Sequence, residues 1–283
     1  MTAGTRVGRL VAVTTMEATM KRAHLVAVVL LLAPVASWAN NILEDSYTFA
    51  VISKTAGVAG TQWLTELCIS NPSDEQLNIK FVAVKNGEWW NVMGYYFLPQ
   101  ESHCWQDAVA SVFSDTGSMG LLLSAPSDMN PGVEDRRFAA SVKIYNNASS
   151  GTYGQEIPPA SPRNPWALLS DGTALIPGVQ NHGVAGQSGF RTNIGLFNSG
   201  GEMDTVEVYL HSDSGNLLWS RQVNLGGYTL TQFAVPPNIS VHDGVVTVAV
   251  DGPSPVSAYA SIVDNRTGDG SLRNTYVDAG TAR

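Results

Sequence analysis

The segment Asp264-Asn-Arg-Thr-Gly-Asp269 concentrates side chains whose oxygen atoms could bind a calcium ion. Asp264, Asn265 and Asp269 would supply the hard oxygen ligands that Ca²⁺ prefers, all from one loop. The segment lacks the alternating D-x-D-x-D-G spacing of a calcium loop, and Arg266 brings a positive charge into it. A hairpin turn held by hydrogen bonds from the Asx side chains is the alternative, and the sequence favours it.

Signatures of catalysis are missing from the rest of the chain. The histidines beyond residue 39 show neither H-E-x-x-H nor the Cys/His spacing of a zinc site. Gly186-Gln-Ser-Gly189 is one residue shorter than the G-x-S-x-G elbow of serine hydrolases. We therefore predict a non-enzymatic protein with no catalytic residue, no metal centre and no cofactor. A hydrolase whose active site is assembled from distant residues is an alternative.

Trp89 and Trp90 are the side chains best suited to contact a ligand on a surface. Successive side chains of a strand point to opposite faces, so one of these adjacent rings must face outward. An exposed indole can stack on a sugar ring, as in carbohydrate-binding modules, or anchor a protein interface. The alternative, which the sequence favours, is that a neighbouring module covers the ring.

Cys68 and Cys104 are the two cysteines of the chain. In an oxidising compartment one pair most simply forms a disulfide, here enclosing a loop of about 36 residues. The chain-entropy model credits such a bridge with roughly 3–4 kcal/mol of stability. Two separate buried thiols are the alternative.

The composition indicates that strands hold these side chains in place. Charged residues make up 14% of the chain, and Gly, Ser, Thr, Asn and Val are plentiful. Helix-forming stretches with a 3.6-residue period are nearly absent, except for Trp105–Phe113, which is predicted to make two helical turns. We therefore predict an all-β protein.

An internal repeat is the most informative feature of the sequence. Gly57-Val-Ala-Gly60 recurs as Gly183-Val-Ala-Gly186, and a matched series of strands follows each copy. Alternating apolar residues within the matched segments predict half-buried strands. The matched strands are Trp63–Asn71 with Phe190–Asn198, Leu77–Val84 with Thr205–Leu210, and Ala139–Asn147 with Ser257–Asn265.

Each copy has the roughly 110 residues and about seven short strands of an immunoglobulin-like or Greek-key sandwich. We therefore predict two tandem β-sandwich modules, at residues 40–156 and 173–283. Ile157–Pro165 contains four prolines, which cannot join a central sheet, so residues 157–172 are predicted to be a stiff linker. A continuous double sandwich, with the two copies packed together, is the alternative.

Residues 20–39 have the three parts of a cleavable secretory signal peptide. Lys21-Arg22 supply positive charge, Leu25–Val35 is an apolar run, and Ser37-Trp-Ala39 places small residues before a cleavage point. The apolar run is shorter than the roughly 20 residues that cross a bilayer, so we predict no membrane span after cleavage.

The signal peptide predicts an extracellular or periplasmic protein, most simply a bacterial one. Residues 1–19 are interpreted as an upstream extension, and Met20 is a better start than Met1. Cleavage after residue 39 leaves 12 basic and 23 acidic residues, a net charge of about −11. Because such a surface repels phosphate backbones, no nucleic-acid binding is predicted. The predicted partner is an unidentified protein or a surface glycan.

The repeated pattern resembles a module of secreted proteins from environmental Gram-negative bacteria. The resemblance is carried by Gly-x-x-Gly-x-x-aromatic-x-Thr-x-apolar-x-apolar-x-Asn, by Gly151-Thr-Tyr-Gly-Gln155, and most specifically by Ala258-Tyr-Ala-Ser-Ile-Val-Asp-Asn-Arg-Thr-Gly-Asp269. It spans most of residues 47–280, implies exported β-modules, and carries no activity or site residues. The cysteine pair is not part of the pattern. We expect a protein that acts through protein or cell-surface contacts, with a carbohydrate-binding module as the alternative.

Overall fold

The computed structural model describes residues 43–57, 62–148, 151–160, 169–170, 172–184 and 187–277. The protein is all-β, as predicted, and each copy of the repeat forms a sandwich. The first copy contains one helical turn, α1 (Ala108–Ser111), and eight strands: β1 (Ser46–Ala56), β2 (Gln62–Ser70), β3 (Leu77–Lys85), β4 (Glu88–Phe97), β5 (Ser102–Trp105), β6 (Gly117–Ser124), β7 (Ala139–Ala148) and β8 (Gly151–Ile157).

The second copy repeats these eight strands and adds a short ninth. Its strands are β9 (Gly172–Gly183), β10 (Gly189–Asn198), β11 (Asp204–His211), β12 (Leu217–Leu225), β13 (Leu230–Ala234), β14 (Val241–Asp251), β15 (Val256–Asp264), β16 (Gly270–Asn274) and β17 (Tyr276–Val277).

The two copies have the same strand order. In the first, the order is β4-β3-β6-β1-β2-β7-β8 with β5 beside β2; in the second, it is β12-β11-β14-β9-β10-β15-β16 with β13 beside β10. Strand β1 links the two layers of its sandwich, because Ser46–Lys54 pair with β6 whereas Thr55 and Ala56 pair with β2. The described strand pairs of this path are antiparallel, which allows short connections between neighbours.

The threonine and asparagine that recur in both copies stabilise the strand framework that the two sandwiches share, which is called the frame below. Thr65 is buried in β2, where its hydroxyl donates to the Ser53 carbonyl at 2.8 Å and accepts from the Ser53 N–H. At the end of the same strand, the Asn71 amide donates to the carbonyls of Glu75 and Leu98 at 2.8 and 3.0 Å. Thr192 and Asn198 occupy the same positions in the second copy and are equally buried. These repeated residues therefore satisfy buried main-chain groups.

The second copy packs directly against the first. Phe197 and Tyr259 belong to the second copy, yet both lie in the apolar core of the first, beside residues of β1 and β6. The ring of Phe197 covers Gly120 of β6, where an added Cβ would lie 2.3 Å from the ring. A separate core fills the second sandwich and is built around Ile194, Val208 and Val248.

The segment predicted as a linker is tied to the sandwiches near both of its ends. Ala160 exchanges two main-chain hydrogen bonds of 2.8 Å with Thr48 of β1, and Leu169 exchanges two of 2.7 Å with Val256 of β15. Residues 161–168 lie outside the described residues.

The helix predicted at Trp105–Phe113 is shorter than the sequence suggested. Trp105 is the last residue of β5, paired with Leu67, and only Ala108–Ser111 are helical. The Asp107 side chain caps this turn by accepting from the Ala110 N–H. Strand pairing therefore uses the residues that would have formed the first turn.

The predicted signal peptide, residues 20–39, lies outside the described residues. In the part of the chain that the structure does describe, no helix has the length and apolar character needed to span a membrane.

Candidate ligand-binding site

A cavity of about 200 Å³ lies where the two copies meet. The first copy contributes side chains from β1, β2, β6, β7 and β8, and the second contributes them from β10, β13 and β15. The lining residues are Val51, Ser53, Thr55, Ala56, Trp63, Ser118, Ile144, Gln155, Arg191, Asn193, Gln232, Tyr259, Ser261 and Val263.

Strand alternation produces the wall from the second copy. Arg191, Asn193 and Gly195 lie on one face of β10, while the residues between them face the second core. Asn193 is paired with Ser261 of β15, and Gly195 is paired with Tyr259. A Cβ at Gly195 would lie 2.0 Å from the ring of Tyr259, so glycine is required for the ring to lie flat across β10.

Two buried polar atoms of the cavity lining, one from each copy, have no partner within the described protein. Tyr259 is 3% exposed, and its hydroxyl makes no hydrogen bond. Burial raises the pKa of this phenol, so its O–H remains available as a neutral donor. The Gln155 Oε1 atom is likewise unpaired, although its Nε2 donates to the Ser261 hydroxyl at 3.5 Å. Because buried polar groups normally have partners, one donor and one acceptor remain here for a ligand.

The wall from the first copy adds hydroxyl groups and one aromatic ring. The Ser53 Oγ atom lies 3.0 Å from the Ser118 Oγ and 3.2 Å from the Thr55 Oγ1. Each hydroxyl can both donate and accept a hydrogen bond. Trp63, near the start of β2, is half-buried and packs at the edge of the first core. The cavity therefore combines hydroxyl, amide and indole groups.

Arg191 is the charged residue of the described lining. Its Nη1 donates to the Asn265 Oδ1 at 3.2 Å. Asn265 is in turn fixed by its main-chain N–H, which donates to the Gly189 carbonyl at 2.9 Å, and by its Nδ2, which donates to the His182 carbonyl at 3.4 Å. No carboxylate of the described chain pairs with the Arg191 guanidinium.

The predicted disulfide between Cys68 and Cys104 is confirmed. The two residues lie directly opposite each other on β2 and β5, on the outer face of the first sandwich. The positions that correspond to them in the second copy are Gly195 and Gln232, which are also paired. Gln232 lines the cavity, and Gly195 lies beneath the ring of Tyr259. The same place in the frame thus holds a cross-link in one copy and a cavity wall in the other.

Trp89 and Trp90 are both about half exposed, at 49% and 53%. The strand register shifts between Ala83 and Val84, which inserts an extra residue into β4, so the simple alternation used for the prediction fails here. Trp89 is also in edge-to-face contact with Tyr228 of the second copy, with ring centroids 5.7 Å apart. The neighbouring copy therefore covers Trp89 in part.

The three candidate calcium ligands make hydrogen bonds within a hairpin turn or to a residue that lines the cavity. The Asp264 Oδ1 accepts from the N–H groups of Arg266 and Thr267 at 2.8 and 2.7 Å, and these hydrogen bonds lower the pKa of that carboxyl. Asn265 positions Arg191, and the Asp269 carbonyl accepts from the Asp264 N–H at 2.8 Å. Among the described residues, no group of three or more His, Cys, Asp or Glu side chains could hold a metal ion.

Two histidines of the second copy form a pair, one near the end of β9 and the other near the start of β14. The rings of His182 and His242 lie 4.0 Å apart, and His182 also contacts Phe190. Burial, followed by the charge of His242, lowers the pKa of His182. Neither histidine lines the cavity.

Sequence reasoning did not single out the cavity residues. A usable signal was present, because the outer-face positions of the matched strands differ between copies. Leu64 corresponds to Arg191, Cys68 to Gly195, and Ser141 to Tyr259. The matched positions that face the sandwich cores keep the same character in both copies, as with Thr65 and Thr192 or Leu67 and Ile194, so the change is on the other face.

No protein-family model and no curated protein matches the chain. Among solved structures, a lectin from Pleurotus ostreatus in its apo form is 12% identical, with a TM-score of 0.22, over 85% of this chain and 77% of that one. A structure of the infectious bursal disease virus Gx strain is 11% identical, with a TM-score of 0.20, over 81% and 74%. A Bifidobacterium dentium β-glucuronidase is 9% identical, with a TM-score of 0.19, over 77% of this chain and 39% of that one. Likenesses this weak carry no argument about function.

Proposed function

We propose that this protein is an exported, non-enzymatic carbohydrate-binding protein that holds one sugar unit in the cavity between its two copies. The observation that carries the proposal is the pair of unpartnered polar atoms in the cavity wall, the Tyr259 hydroxyl and the Gln155 Oε1. A ligand that accepts from the first and donates to the second removes two buried, unsatisfied groups at once.

The chemistry of the wall supports a polyhydroxylated ligand. Ser53, Thr55 and Ser118 present hydroxyls, and Asn193 and Gln232 present amides. Sugar hydroxyls both donate and accept, so they can match such a wall without a fixed assignment of donors and acceptors. An apolar ligand would leave the same groups desolvated and unpaired, which costs free energy.

The size of the cavity and its tryptophan support the same class of ligand. A volume of about 200 Å³ is below the roughly 300–1,000 Å³ of pockets for drug-sized molecules and suits a single sugar ring. Trp63 supplies the indole surface on which the apolar face of a sugar ring packs.

Binding without turnover is the simplest use of these groups. Hydrolysis of a glycosidic bond ordinarily requires two carboxylates that flank it. The described lining offers hydroxyls, amides, one phenol and one guanidinium, all of which are suited to recognition. The confirmed disulfide is in keeping with the oxidising compartment that the signal peptide predicts. A glycan ligand would also provide the cell-surface contact expected from the sequence.

Glycan-array binding followed by titration calorimetry tests the proposal. We expect Tyr259→Phe, which removes only the hydroxyl, to weaken binding by about fivefold to tenfold. Trp63→Ala should weaken it further, because the packing surface is lost.

Trp90→Ala is the matched control, since it removes an exposed indole outside the cavity. This variant should bind as the unmodified protein does. Binding that is lost in Trp90→Ala and kept in Tyr259→Phe and Trp63→Ala would place the glycan on β4 and overturn the assignment to the cavity.

A further inference from the structure

The charge of the cavity lining bears on the class of ligand, as its hydrogen-bonding groups do. Arg191 brings a positive charge into a wall that is otherwise built from neutral groups. Elsewhere in the described chain, Lys54 and Lys85 are paired with Asp107 and Asp115. Arg191 is half-buried, and none of the described carboxylates pairs with it.

The guanidinium is held in place but is not saturated. Its hydrogen bond to Asn265 uses one of five N–H donors, and Asn265 is itself anchored to the carbonyl of His182 and to that of Gly189. Because one edge is fixed by a neutral amide, the remaining N–H groups can engage a ligand with little loss of side-chain freedom. A planar fork of this kind matches the two oxygens of a carboxylate.

An arginine at this position is particular to the second copy. The corresponding position in the first copy is Leu64. The excess of acidic residues over the whole chain repels an anion at long range, so recognition of an anion has to arise from direct contact.

We infer that the sugar unit carries a carboxylate, so that the ligand is a hexuronic acid or a glycan containing one. This inference rests on the proposed function and names its ligand class. The carboxylate pairs with Arg191, while the ring hydroxyls engage the Tyr259 hydroxyl and the Gln155 amide.

Calorimetry with matched sugars tests the inference on the complete protein. The probes are the methyl glycosides of glucuronic and galacturonic acid, the corresponding glucosides and galactosides, and acetate as a carboxylate without a sugar ring. We expect the uronates to bind about tenfold or more tightly than their neutral counterparts, since charge-assisted hydrogen bonds are the stronger ones. Acetate should bind far more weakly than either uronate.

Two arginine variants separate the contribution of Arg191 from general charge effects. Arg191→Gln should reduce the preference for uronate over the neutral sugar to about onefold. Arg221→Gln makes the same charge change on β12, outside the cavity, where that guanidinium lies over the Phe233 ring, and should retain the preference.

Equal or tighter binding of the neutral sugars by the unmodified protein would overturn the inference while leaving the proposed function standing. A preference for uronate that persists in Arg191→Gln would also overturn it. Failure of every sugar to bind would instead overturn the proposed function, and the inference with it.

Discussion

The outer faces of β2 and β10 occupy the same place in two copies of one frame, yet their surroundings differ. On β2, the outward positions include Glu66, Cys68 and Ser70, which are half-buried. On β10, the corresponding Gly195 and Phe197 are buried. The Tyr259 ring of the same copy covers Gly195, and the first copy packs over Phe197. The last part of β10 is therefore buried on both faces, whereas the corresponding part of β2 has one face that is only half-buried.

The difference separates the residues that stabilise both sandwiches from those that line the cavity. The threonines and asparagines that match between copies satisfy main-chain groups in both. Their recurrence therefore indicates a structural role. The residues that differ, such as Arg191 and Tyr259, line the cavity. Because function has to be argued from a site and not from the fold, the proposed function rests on the residues that differ between the copies.

The largest effect on stability is expected from a substitution that disrupts the packing between the copies. Phe197→Ala should lower the free energy of unfolding by about 3–5 kcal/mol, because it empties a fully buried aromatic site against Gly120. Ser70→Ala, at the equivalent position of the first copy, should cost less than about 1 kcal/mol, since its hydroxyl only meets Ser102 at an exposed site. Urea unfolding of both variants measures the contrast, and equal losses would contradict the asymmetry.

A smaller effect concerns the cross-link that only the first copy has. The double substitution Cys68→Ala and Cys104→Ala should lower stability by about 2–4 kcal/mol, because it releases the unfolded chain from the loop constraint. Reduction of the unmodified protein should give a similar loss. Gln232→Ala, at the position that corresponds to Cys104, should change stability by less than about 0.5 kcal/mol, since Gln232 is exposed. Thermal unfolding with and without reductant measures these losses of stability. A loss in Gln232→Ala as large as that in the double cysteine variant would contradict the prediction.

The smallest effect compares two buried tyrosines. The Tyr47 hydroxyl donates to the Phe138 carbonyl at 2.7 Å and accepts from the Glu44 N–H at 3.1 Å, so Tyr47→Phe should cost about 1–3 kcal/mol. Tyr259→Phe removes a hydroxyl that has no partner, so stability should stay level or rise by up to about 1 kcal/mol. Denaturant titration of the two variants measures both changes in stability. A clear loss of stability in Tyr259→Phe would show that the Tyr259 hydroxyl already has a hydrogen-bond partner.

Much of the frame was predictable because it depends on local pattern. Alternating apolar residues and repeated Gly-Val-Ala-Gly segments indicated matched strands, and the cysteine pair indicated the disulfide that the structure confirms. These features follow from residue type and spacing along the chain. The helical turn was overestimated because strand pairing extends to Trp105, which no local pattern shows.

The cavity was not predictable because it depends on how the copies meet. Trp63 and Tyr259 lie far apart in the sequence and reach the same cavity only after both sandwiches have formed and packed. The exposure of both Trp89 and Trp90 depends on a shift in register at Val84, which the alternation of strand residues does not encode. Contacts between modules and bulges within strands are tertiary features.

Placement of Phe197 and Tyr259 inside the first core has a consequence for the history and engineering of the chain. Here the upstream unit has come to rely on side chains encoded in the downstream one, so the two no longer form interchangeable building blocks. Removal of the second copy would therefore leave the core of the first incomplete.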